Sequence, residues 1–82
     1  MWFASHTLTD EMFTQLTLTS AGRVLKSIQA EDLTLSLKRF CERCLNSIAN
    51  NGAESTARFY NVPLGFLETL ERVYVEHANK AQ

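Results

Sequence analysis

Proline and glycine are scarce in this chain, with one Pro and three Gly among 82 residues. Folds made of many short strands need such residues at every tight turn, so their scarcity favours long helices. No apolar stretch approaches the roughly 18 residues that a membrane-spanning helix requires. Charge of one sign is also missing. The net charge is −1, and no run of like charge is longer than Lys38-Arg39, so there is no polybasic footprint for nucleic acid across the whole chain. Gly22, Gly52 and Gly65 are scattered and form no phosphate-cradling loop. The first residues lack the basic start and apolar core of a secretory leader. With only two cysteines, that points to a reducing compartment, the cytoplasm.

What is present is an ordinary globular balance of 45% hydrophobic and 21% charged residues. The expectation is a single all-α domain over residues 1–82, with four to five helices. A chain this short buries only about 60–65% of its unfolded surface. A second subunit is a common way to widen so thin a stability margin, and a homodimer is expected.

The first helical region lies within Asp10–Gln29. Thr9 or Asp10 is suited to cap it, and Phe13, Leu16, Ala21, Val24, Leu25 and Ile28 recur at near-helical spacing. Thr14–Thr19 alternates as a strand would. A lone strand has no partner here, so one interrupted helix or two short ones are expected, with Ser20 able to cap a second at Ala21. A helix from about Leu33 to Ala49 places Leu37, Phe40, Cys41, Cys44, Leu45 and Ile48 on one face. Asn50-Asn51-Gly52 ends it. A short helix over about Glu54–Tyr60 is followed by a break at Asn61-Val62-Pro63. A last helix runs from near Pro63 towards Ala78, with Phe66, Leu67, Leu70, Val73 and Tyr74 inward and Asn79–Gln82 fraying.

The stretch Gly52–Leu70 resembles the helix-turn-helix of phage and bacterial repressors, over about residues 53–72. Ala57 occupies the small-residue place where two steeply crossing helices come closest. Four residues on, Asn61 stands where the turn needs a left-handed backbone. Val62 takes the buried aliphatic place, Leu67 and Leu70 the positions that pack the second helix back, and Tyr60 the apolar place before the turn. The resemblance implies a small transcriptional regulator of bacterial or phage type, with DNA as partner. The last helix departs from the family pattern, because its exposed early positions, Pro63, Leu64, Gly65, Glu68, Thr69 and Arg72, hold few base-reading side chains.

If DNA is contacted, Arg58, Thr69 and Arg72 would face it, with Lys38, Arg39 and Arg43 on phosphate. Arg23 and Lys26 would extend that basic patch if the two carrying helices align their outer faces. The alternative is a protein-interaction adaptor, anti-activator or chaperone that uses the helical fold as a scaffold, with Phe59, Leu64 and Phe66 at the interface. Trp2, Phe3, Phe59, Tyr60, Phe66 and Tyr74 exceed the obvious needs of so small a core, which suits an interface. Cys41-Glu42-Arg43-Cys44 has metal or redox spacing but lies on the apolar stripe without a second ligand pair, so core packing is expected. His6 and His77 stand alone in the sequence as solvated residues, and no nucleophile–base grouping is apparent. Neither catalysis, a small-molecule substrate, a cofactor nor a membrane partner is expected.

Overall fold

The computed structural model describes residues 6–80, the side chain of Lys80 excepted. Trp2 and Phe3, two of the surplus aromatics, lie outside the described residues, as do Ala81 and Gln82 of the expected fraying tail. Five helices follow in chain order: α1 (Asp10–Thr17), α2 (Ala21–Glu31), α3 (Leu37–Asn51), α4 (Ala53–Tyr60) and α5 (Leu64–Lys80). No strand occurs among the described residues, and the fold is all-α. No helix among them is long and apolar enough to cross a membrane.

Local chemistry sets the boundaries. Thr9 caps α1 by accepting the Met12 N–H at 3.1 Å, while Asp10 and Glu11 lie at the positive end of the helix. The first region is two helices, and Thr19 makes the break. Its hydroxyl donates to the Leu16 carbonyl at 2.6 Å and accepts the Ala21 N–H at 3.1 Å, so it closes one helix and opens the next. Ser20, the expected cap, already has helical backbone angles and makes no capping bond. α3 starts four residues later than expected. Asp32 holds a local turn by accepting from both the N–H and the hydroxyl of Thr34, and Ser36 then caps α3 at Arg39. Gly52, at φ 90°, ends α3 and begins α4; its N–H donates to the Ile48 carbonyl. Asn61 is left-handed at φ 56°, ψ 51°, and the Val62 N–H reaches back to the Ala57 carbonyl at 3.1 Å.

Packing follows the apolar stripes. α5 lies at the centre, in contact with each of the other four helices, while α1 packs on α2 and α3 on α4. The core is built from Leu8, Met12, Leu16, Ala21, Leu25, Phe40, Cys41, Cys44, Leu45, Val62, Phe66, Leu67, Leu70 and Val73. Each fully buried leucine contributes about 1.5–3 kcal/mol. Within α4 the wholly buried side chain is Thr56, and Ala57 is half-buried against the core. The Thr56 hydroxyl lies 2.6 Å from Ser47 Oγ and donates to the Gly52 carbonyl at 2.9 Å, which ties α4 to α3 through a satisfied polar group.

Residues 6–9 form a strap laid along α3. Leu8 is buried, and its N–H donates to Glu42 Oε2 at 2.7 Å. The His6 N–H donates to Asn46 Oδ1 at 3.1 Å, and His6 Nδ1 lies 2.8 Å from the same oxygen. A backbone N–H can only donate, so the amide oxygen is the acceptor, and Nδ1 must carry a proton to make the second bond. The His6 ring also meets Tyr74 edge-on at 5.4 Å. His77 places Nδ1 3.3 Å from Glu11 Oε1, joining α5 to α1. Both histidines are half-buried connectors, contrary to the expectation of solvated residues.

Candidate functional site

A groove of about 550 Å³ lies between α3 and α4. α3 contributes Arg43, Asn46, Ser47 and Asn51, and α4 contributes Ser55, Phe59 and Tyr60. Helical spacing explains the set. Arg43, Ser47 and Asn51 recur every four residues along the flank of α3, and Ser55 and Phe59 do the same on α4. The lining offers amides, hydroxyls, one guanidinium and aromatic surface, and no carboxylate. Glu42, the acid next to Arg43, is turned to the strap, where Leu8 occupies it.

Phe59 stands on the rim at 79% exposure. Its ring lies edge-on to Tyr60 at 4.9 Å, and Tyr60 in turn lies edge-on to the buried Phe40 at 5.4 Å. A chain of three aromatics thus runs from core to surface and orients the exposed ring. A second depression, about 490 Å³, wraps the start of α4. It shares Asn51 and Ser55 with the first and adds Arg58, Leu64, Glu54 and Glu68.

The residues nominated from sequence divide unevenly. Phe59 is exposed and Leu64 is 38% exposed, so both remain on the surface. Phe66 is corrected: it is buried at 3% exposure, because it opens the same inward stripe as Leu67, Leu70 and Val73. Lys38 is taken up by Asp10, 2.8 Å away, and that contact holds the Asp10 carboxyl below the usual carboxylate range, by hydrogen bond first and charge second. Arg39 and Arg43 are exposed, with no carboxylate partner among the described residues. Arg58 lies in the second depression near Glu54 and Glu68. Arg72 is exposed and Thr69 half-buried on α5, with Glu68 and Glu71 beside them. Arg23 and Lys26 do not extend the basic patch. α2 packs on α1 and α5 and makes no substantial contact with α3, and Arg23 lines a separate groove against Asn61, Val62 and Pro63.

Cys41 and Cys44 are free and wholly buried. Desolvation pushes both thiols up to about 12. They pack as small apolar groups, and the thiolate that redox or metal chemistry uses is strongly disfavoured there. Among the described residues no three His, Cys, Asp or Glu side chains converge as a metal-binding group.

The sequence missed the groove itself, along with the roles of Asn46, Ser47, Asn51 and Ser55. The four-residue spacing of Ser47 and Asn51, and of Ser55 and Phe59, places them on one flank of each helix, but nothing local says that those two flanks will face each other. The pairing of Ser47 with Thr56 across nine residues depends on how α4 folds back. The chain matches no protein-family model, no curated protein and no solved structure.

Proposed function

We propose that this chain is a small, non-catalytic regulatory module that acts by binding a protein partner through the α3–α4 face. The observation that carries the proposal is Phe59, largely exposed yet oriented by Tyr60 and Phe40, at the rim of a groove that also holds an unpaired arginine. A large aromatic has only two side-chain torsions to fix and so gives up little entropy on binding for the area it buries. Aromatic and arginine side chains are also the commonest energetic anchors of protein interfaces.

A second reading, direct DNA binding by a helix-turn-helix, draws support from the left-handed Asn61 at the α4–α5 corner. The charge on α5 opposes it. Its exposed residues include Glu68, Glu71 and Glu76 against Arg72, and that face repels phosphate. A regulator of this kind works better by engaging another protein than by reading bases.

The test is a photo-crosslinking residue, p-benzoylphenylalanine, placed at position 59 in the protein's own cells. The proposal expects discrete adducts that survive nuclease and are removed by proteinase; one at twice the mass of the chain would be a second copy. Adducts lost to nuclease would establish the DNA reading instead, and no adduct would end the proposal.

A further inference from the structure

Resting on the protein-binding function proposed above, we infer that the α3–α4 groove receives an acidic segment of the partner, one that presents carboxylates to Arg43 and Arg39 and an apolar side chain to Phe59. Charge is the first argument. α3 carries Lys38, Arg39, Glu42 and Arg43 as its charged residues. Lys38 is paired with Asp10, while Glu42 keeps its charge but directs its carboxylate to the Leu8 N–H of the strap. What remains on the outer flank is Arg39 and Arg43, one turn apart and neither matched by a carboxylate among the described residues. Residues four apart on a helix present their side chains side by side, so the two guanidinium groups form a single cationic edge. Such a pair suits anions that can take two parallel hydrogen bonds.

The lining supplies the second argument. Below that edge lie Asn46, Asn51 and Ser55, which offer hydrogen bonds to a peptide backbone, and Ser47, whose proton is engaged by Thr56 and which can only accept; none of them carries a negative charge. Asn46 Oδ1 is already occupied by His6, so its amide nitrogen is the part left to donate. The groove volume, about 550 Å³, is that of a site for a few residues of chain. A long polyanion fits less well. Following the groove around α4 brings it to Glu54, Arg58 and Glu68, where two carboxylates outweigh one guanidinium and disfavour a continuous phosphate backbone but leave a short acidic segment untouched.

The experiment is a titration of the isotope-labelled full chain, followed by backbone amide chemical shifts. The probes are a capped hexapeptide, EEDLFE, its charge-reversed counterpart KKRLFK, and oligothymidylate. The inference expects EEDLFE to shift the amides of Arg43, Asn46, Ser55 and Phe59 and KKRLFK to leave them in place. Arg43→Glu and Phe59→Ala should each weaken EEDLFE binding roughly tenfold, while Arg23→Glu, on the separate α2 groove, leaves it unchanged. Arg43 and Phe59 are exposed, so both variants should keep the parent's spectrum elsewhere. Equal shifts from the two peptides, shifts outside the groove, no shift at all, or a stronger response to oligothymidylate would each overturn the inference. A protein adduct at position 59 combined with an unresponsive groove would leave the proposed function standing and remove only this acidic partner.

Discussion

Gly22 and Gly65 occupy the second position of α2 and α5 respectively, so replacing either by alanine brings the same intrinsic gain, roughly 0.5–1 kcal/mol in a helix. Their surroundings differ completely. A methyl group on Gly65 meets nothing within 4 Å. On Gly22 it falls inside contact distance of the Thr17 carbonyl oxygen and 3.1 Å from the Thr17 carbonyl carbon. That obstacle is backbone, so no rotamer change relieves it, and α2 must move away from the end of α1. Such a shift disturbs Leu16, Ala21 and Leu25, which are packed around this joint. Overpacking of this kind costs about 1–3 kcal/mol. Set against the intrinsic gain, Gly22→Ala should lose up to about 2.5 kcal/mol net, with a central value of about 1 kcal/mol. For a domain of this size each kcal/mol moves Tm by roughly 4–8 °C. Melting followed by far-ultraviolet circular dichroism should therefore show Gly22→Ala about 4–8 °C below the parent and Gly65→Ala a few degrees above it. Both variants lose the same backbone entropy in the unfolded chain, so the gap between them isolates the Thr17 contact. A Gly22→Ala domain as stable as Gly65→Ala would refute the close approach of α1 and α2.

The left-handed corner gives another expectation. Asn61→Gly should be neutral or slightly stabilising, whereas Asn61→Val should cost at least about 1–2 kcal/mol, because a β-branched residue tolerates that backbone poorly; urea midpoints for the two variants that coincide would count against the corner. The cysteines give a pH dependence. Burial raises both thiols from an ordinary 9.0 to about 12, so above pH 9 the unfolded chain releases its thiol protons first and stability falls as pH rises towards 12. Urea midpoints followed upward from pH 9 should fall less steeply in the Cys41→Ala, Cys44→Ala double variant, which starts from a lower stability at neutral pH; equal slopes would contradict thiol burial as the cause.

Much of the architecture was legible because its causes are local. The stripe from Leu37 to Ile48 marks an apolar face wherever that helix packs. Thr9 caps with its own side chain, and Asn61-Val62-Pro63 breaks the chain through its own backbone preferences. Where two local devices competed the outcome was harder to read, although α2 does begin at Ala21 as expected. Thr19 displaced Ser20 as the opener of α2, and the Asp32–Thr34 turn delayed α3 until Ser36.

The sequence alone therefore settled that the chain is helical, roughly where the helices lie and which face of each is apolar, since periodicity and capping act within a few residues. Only the tertiary structure decided what each face meets. It placed α5 at the centre, set Thr56 and not Ala57 deepest in α4, and gave Lys38 to Asp10 and Glu42 to the strap. The exposed arginines and the α3–α4 groove are what these long-range pairings leave over. No single segment encodes them, because each depends on partners that come together only when the chain closes on itself.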